Sequence, residues 1–290
     1  MIIRSEDIRA YHDRQSLSKS KLGTFDRFGA AHYHAQYIAK TMPGPDSPAL
    51  WFGRRFDGLC DNEDRERNTW APPLPEDAPK KPSSSQRNAK KPSPETVAAI
   101  AWWDEWNAKH GGKVEVGEDD RQTLLEMMHA LDANEHAHKL WSHEQCERQL
   151  TIRRELPALG IELQSRPDGV NLTAELPYIA DIKTTADLSR FPNDCITYGY
   201  HMQLAIGQWL LAKEGVQAEA YLIVVESKRA PRCKVFRMPE IALAAGWEKA
   251  KRLMDEIARR MKANDWTERQ ESIEEITLPG WQLNKLENAQ

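Results

Sequence analysis

An uninterrupted apolar stretch covers residues 220–225, Ala-Tyr-Leu-Ile-Val-Val, flanked by glutamates at 219 and 226. Its branched side chains fit a strand buried on both faces. It falls far short of the roughly 18 to 20 residues a membrane span needs, so no segment is expected to cross a bilayer. Such a strand must lie inside a sheet that other elements cover, and its neighbours in sequence supply them. Residues 196–212 read as one helix ending at Gly215. Pro239 opens another, along which Leu243, Trp247, Ala250, Met254, Ile257 and Met261 step by four and three. Residues 232–238 add a further strand. Upstream, Leu150 and Ile152, then Ile161, Leu163 and Ser165, alternate with polar neighbours, and residues 179–184 make a third short run. Three strands are predicted there.

The N-terminal half reads as helical. Ser18 caps a short helix carrying Leu22, Phe25 and Phe28, while Val97, Ile100, Trp103 and Trp106 mark a second. Leu124, Met128 and Leu131 follow the acidic turn Glu118, Asp119 and Asp120 and mark a third. Between them, residues 71–94 hold seven prolines and five Lys or Arg, and no aromatic residue. This segment cannot build a core of its own and is expected to be a mobile, basic, Pro-rich loop inserted in a single domain spanning 1–290. The order of helices and strands indicates an α/β fold with a central mixed sheet. Four cysteines, Cys60, Cys146, Cys195 and Cys233, lie 86, 49 and 38 residues apart, with no C-x-x-C pair, and read as reduced structural thiols. The first residues mix charges of both signs and lack a secretion signal, so a cytoplasmic location is expected. With 44 acidic and 40 basic residues the net charge of −4 excludes a basic tail protein. It does not exclude DNA, because affinity follows local basic surface.

Chemistry concentrates in the strand region. Asp168 lies in Arg166-Pro167-Asp168-Gly169 at the end of the second strand, and Asp181 and Lys183 lie on the third. Thirteen residues separate the aspartates, enough for a turn and a return strand. Alternation along a strand puts Asp181 and Lys183 on one face and Ile182 on the other, towards the core. Two carboxylates at about 4 Å repel by roughly 4 kcal/mol at an effective dielectric near 20. A cation or a shifted pKa is then needed. Mg²⁺ commonly takes one or two carboxylates and several waters, and a nearby ammonium can offset charge growing on a phosphate. Phosphodiester hydrolysis is the reaction class implied.

The runs RPDGV, IADIKTTADLSRF and YGYHMQLA resemble the nuclease core of the PD-(D/E)XK superfamily, and in detail the RecE-type exodeoxyribonuclease VIII family of phage recombination exonucleases. LSKSKLGTFDRFGAAHYHAQYI and ALWFGRRFDGLC resemble that family's N-terminal helix and glycine-containing second motif. The resemblance covers most of residues 17–237. It implies a restriction-endonuclease-like core, a central mixed sheet flanked by helices. It implies Asp168 and Asp181 as metal ligands, the carbonyl of Ile182 as another, and Lys183 as the catalytic lysine. Glu147 is expected as an outer ligand or base, and Gln203, with Tyr200, as lining the site. The implied cofactor is Mg²⁺, with Mn²⁺ able to substitute. The implied activity is digestion of double-stranded DNA ends, 5′ to 3′, leaving 3′ single-stranded tails for a strand-annealing partner. A ring-like homotetramer is implied as well.

One departure stands out. The family's second motif places a histidine four residues after its glycine, where this chain has Gly53 and then Asp57. An aspartate can also ligate Mg²⁺, so Asp57 joins the candidate ligands; a catalytically weakened DNA-binding protein is the alternative that this change raises. A RecB-like nuclease of different substrate preference is another, and the missing cysteine cluster counts against its iron–sulfur form. Ser18, Ser20 and Lys21, with Lys19 at the same helix start, are candidate phosphate contacts. His136, His138, His143 and Cys146 are dense, but residues two apart on a helix diverge by about 200°, which argues against zinc. Trp102, Trp103 and Trp106 read as core more readily than as a base-stacking surface.

Overall fold

The computed structural model describes residues 1–61, 70–111, 113 and 116–268; the single-domain assignment over 1–290 reaches beyond them. In chain order the elements are β1 (Ile2–Ile3), α1 (Ile8–Asp13), α2 (Lys19–Tyr33) with a π-helical extension (His34–Ile38), α3 (Pro48–Cys60) and α4 (Ser84–Arg87). Then come α5 (Pro94–His110), α6 (Glu118–Ala133), α7 (Glu135–Trp141), β2 (Glu147–Arg148), β3 (Thr151–Leu156), β4 (Ile161–Ser165) and β5 (Gly169–Asn171). The rest are β6 (Tyr178–Thr185), α8 (Phe191–Thr197), α9 (Tyr200–Ala212), β7 (Glu219–Glu226), β8 (Cys233–Arg237) and α10 (Glu240–Ala263). No helix among the described residues is long and apolar enough to cross a membrane.

The five-stranded sheet runs β2-β5-β6-β7-β8, and a second sheet of three strands runs β1-β3-β4. The larger sheet is mixed, because β6 and β7 pair in parallel while its other neighbours are antiparallel. A parallel pair needs a crossover, and α8 and α9 provide it. The alternation of β6 and β7 feeds two cores. Leu222 and Val224 pack with α9 and α10 on one face, whereas Ala180, Ile182, Ile223 and Val225 pack with α3, α6 and α7 on the other. Burying both faces explains why residues 220–225 read as an uninterrupted apolar run.

Four expectations are corrected. The helix expected over 196–212 is two helices, broken at Gly199, whose φ of +67° is the left-handed conformation that ends a helix and favours glycine. The helix beginning after Ser18 is not short, and Ser18 holds the N-cap position without a side-chain capping bond. The Pro-rich segment is not a bare linker: Ser83 caps α4 with a reciprocal Gln86 bond, Pro79 O accepts from Trp103 Nε1 at 2.8 Å, and Lys81 lies over the Trp103 ring. On α5 only Trp103 is buried, and Trp102 and Trp106 stack on one another outside the core. Packing against the 71–94 segment, rather than helical periodicity alone, decides which tryptophan is covered.

Candidate active site

Asp168 ends the connection from β4, immediately before the two-strand return β5–β6, and that return brings it beside Asp181. The backbone N–H of Asp168 donates to Asp181 Oδ1 at 3.1 Å, and the N–H of Ile182 donates to Asp168 Oδ2 at 2.8 Å. Each aspartate is thus tied to the backbone beside the other, which fixes the pair without any side-chain cation between them. Lys183 Nζ sits 3.3 Å from Asp181 Oδ2 and 3.1 Å from Ile182 O, so its ammonium marks the carbonyl that the sequence nominated as a ligand. Ile182 is buried in the opposite core, as alternation requires.

Electrostatics here are unbalanced. Burial first, then Asp181 and Asp57, push the Asp168 carboxyl well above the usual aspartate range, against the pull of Lys183. Burial alone would lower Lys183, yet Asp181, Asp168 and Asp57 together hold its ammonium above the ordinary lysine value. Asp181 is wholly buried, and its Oδ2 has no hydrogen-bond partner. The Lys183 ammonium 3.3 Å from it is a single cation set against the Asp168 and Asp181 carboxylates together. A hard divalent cation, taking oxygen ligands and retaining waters, fits that donor set, and the PD-(D/E)XK fold typically uses one.

Asp57 arrives from α3, one turn after Gly53, whose Cα side faces Thr184 of β6 with room for ordinary contact. It acts on both Asp168 and Lys183 through space. It does not complete a tight three-carboxylate shell, since among the described residues no three His, Cys, Asp or Glu side chains group closely enough to hold an ion. Tyr200 lies with its ring centroid 5.3 Å from Lys183 Nζ. On α9, Gly207 approaches Pro167 and Ser165 so closely that a Cβ would stand 3.6 Å and 3.4 Å from their side chains. Gln203 lies between Tyr200 and Gly207 at helical spacing and therefore on this same face.

Other nominated residues do other work. Glu147 forms a two-point ion pair with Arg4 at the surface. Lys21 is buried, its Nζ donating to the carbonyls of Arg14 and Ser16, and it supports the chain entering α2 rather than offering a free charge. Ser18 is buried, while Ser20 is exposed. One residue escaped the sequence reading of the site. Gln149 Nε2 donates to Asp168 Oδ1 at 3.3 Å, and its own Oε1 accepts from Arg166 at 3.2 Å. Its unusual φ of +52° leaves no trace in the sequence. Lys19 lies 5.1 Å over Tyr200, on the ring that Lys183 also faces, and its place in the S-K-S-K run was the only available signal.

Residues 18–279 match the family described as a PDDEXK-like domain of unknown function (DUF3799). No curated protein matches the chain. A solved structure from Eubacterium rectale, described as a "putative exonuclease", superposes with a TM-score of 0.56 over 98% of each chain at 13% identity. At that identity the likeness speaks for the fold. The chain belongs to the PDDEXK-like family, and its α/β architecture is the PD-(D/E)XK core. The RecE-type branch is a narrower statement than these matches reach.

Proposed function

We propose that this PDDEXK-like protein is a Mg²⁺-dependent exodeoxyribonuclease that hydrolyses phosphodiester bonds at double-stranded DNA ends. The observation that carries the reading is the half-buried Asp168 beside the fully buried Asp181, whose Oδ2 accepts no hydrogen bond and faces Lys183. Asp168, Asp181 and the Ile182 carbonyl are the groups that would hold the ion, with Asp57 approaching from α3. When bound, a divalent cation supplies positive charge to a phosphate under attack. Lys183, kept protonated by its acidic neighbours, donates a hydrogen bond to a phosphate oxygen or orients the attacking water. Water oxygen bonds to phosphorus as the ester P–O bond breaks, and the departing oxygen takes up a proton. Tyr200 and Gln203 wall the site on the α9 side. Ile182 and the core behind it exclude solvent from the other.

RecE-type polarity, 5′ to 3′ with 3′ tails passed to a strand-annealing partner, belongs to this proposal, as do a cytoplasmic location and a ring-like homotetramer through which DNA passes. End-labelled linear duplex and covalently closed circular DNA, each incubated with Mg²⁺ or Mn²⁺, test it. Mononucleotide release from the linear form alone supports an exonuclease; cutting of the circle makes the enzyme an endonuclease. Light scattering that reports a monomer at micromolar concentration contradicts the ring. A DNA-binding protein of weakened turnover is the second reading, favoured by the failure of Asp57 to close the ligand shell. Binding without cleavage in either metal would establish it.

A further inference from the structure

The ladder of β2 and β5 closes at Arg148 opposite Gly169, and one residue further along, the Gln149 N–H still donates to the Asp168 carbonyl at 3.1 Å. There Gln149 turns into the left-handed region, with φ of +52°. Its side chain meets the same aspartate a second time, Nε2 donating to Asp168 Oδ1 at 3.3 Å, while Oε1 accepts from Arg166 Nε at 3.2 Å. Arg166 is anchored in turn. Its Nη1 donates to the Glu6 carbonyl at 2.9 Å, and its guanidinium carbon lies 5.7 Å from the centroid of the buried Tyr11 ring. Glu6 is fixed from behind, because its carboxylate accepts from Arg153 at 2.8 and 3.0 Å, and Arg153 is only 3% exposed.

The end of this chain that touches Asp168 is an amide, and an amide has a direction. One end donates and the other accepts, although the two have nearly the same shape. Turned with its N–H towards Asp168, the amide supports the carboxylate; turned with its oxygen there, it repels it. A guanidinium has N–H donors and no acceptor, so Arg166 accommodates only Oε1 and leaves Nε2 for the aspartate. Rotating the guanidinium away would give up the Glu6 carbonyl. Asp168 Oδ2 already takes the Ile182 N–H, so the bond to Oδ1 settles what freedom the carboxylate has left.

We propose that Arg166 is a positioning residue of the metal site: braced on the Glu6 backbone, it sets the direction of the Gln149 amide and through it aims the Asp168 carboxylate at the ion. The proposal rests on the nuclease reading and deepens it. A backbone group 160 residues away in the chain from Arg166 then takes part in metal binding without touching metal or substrate.

Mg²⁺ affinity is measured by calorimetric titration, beside the metal-free Tm, for the full chain as wild type, Gln149→Ala, Arg166→Met, Arg166→Lys and the Gln149→Ala/Arg166→Met double variant. Arg154→Met, at an exposed arginine elsewhere, is the control. Arg166→Met is expected to weaken Mg²⁺ binding roughly three- to five-fold, as Gln149→Ala does. The double variant should be no weaker than either single one, because both changes remove the same bond to Asp168. Arg166→Lys, which keeps the charge but not the two-armed fork, should show the loss in smaller measure, and Arg154→Met should match wild type. A purely structural arginine would lower the metal-free Tm and leave the Mg²⁺ affinity of the folded protein where it was. Wild-type affinity in either folded Arg166 variant, or losses that multiply in the double variant, overturn the brace and leave the nuclease reading intact. A wild-type protein that neither binds Mg²⁺ or Mn²⁺ nor cleaves DNA overturns the nuclease reading itself.

Discussion

Two carboxylates on adjacent strands, Asp181 of β6 and Glu226 of β7, are both at 0% exposure, and they are provided for in opposite ways. Glu226 accepts from the backbone of Leu188 at 3.3 Å and of Arg232 at 3.2 Å, from the Arg232 guanidinium at 2.7 and 2.9 Å, and pairs with Lys228 at 3.0 Å. The guanidinium of Arg232 leads these contacts in holding its carboxyl far below the usual range. Asp181 has one backbone hydrogen bond, on Oδ1, and the Lys183 ammonium 3.3 Å from an Oδ2 that accepts no hydrogen bond, with other acids close by. Burial is the same in both places; donor supply is not. A buried acid surrounded by donors holds the fold, and one deprived of them is kept ready for a charge that arrives from outside.

The contrast breaks most visibly at Asp181. Asp181→Asn is expected to reduce cleavage on the order of 1000-fold while the metal-free Tm stays level or rises, because the repulsion between the Asp168 and Asp181 carboxylates is relieved. Melting curves beside nuclease assays check this; normal cleavage by the variant would remove Asp181 from the site. Glu226→Gln should show the reverse signature, a Tm lower by roughly 5–10 °C with the metal-induced shift retained. The sign of its pH dependence also follows. A carboxyl held below its unfolded value, about 4.3 for Glu, lends stability that is present above that pH and lost as pH falls through the folded value. Glu226→Gln therefore flattens the acid limb of the stability profile, which denaturant titrations between pH 3 and 7 read out.

Smaller effects sharpen the same comparison. Asp57→Ala should lower Mg²⁺ affinity about 10-fold, with Asp57→His restoring much of the activity; calorimetric titration and equal metal-induced melting shifts in all three proteins would strike Asp57 from the site. Gln149→Ala should slow cleavage only a few-fold with little change in Tm, since Asp168 Oδ1 loses one weak bond while Oδ2 keeps its backbone donor. A loss as large as that of Asp181→Asn would show that Gln149 acts on substrate directly.

What the sequence disclosed was local. Alternation along residues 179–184 placed Asp181 and Lys183 on one face, and the return from Asp168 closed within a hairpin, so the acid pair was legible in one short span. The buried strand announced itself by composition. Contacts made across great chain distance did not. β1 reaches β3 by pairing Ile2 with Ile152, and Arg4 pairs with Glu147, although nothing near either residue hints at the other. The break at Gly199 was hidden because the apolar pattern runs on through both helices, and only the backbone reversal interrupts it. Gln149 depends on a conformation that its residue type disfavours.

The two halves of the site are separated very differently along the chain, and this bears on the order in which they assemble. Asp168 and Asp181 are 13 residues apart, whereas Asp57 lies 111 residues before Asp168. Closing the longer loop costs about 2 kcal/mol more in chain entropy, and contacts of that span form late when topology governs folding rate. The hairpin with its carboxylate pair is therefore expected to be complete before α3 docks. During that interval the growing protein holds two acids and a lysine in place, and the third acid joins only with the final collapse of the helical face.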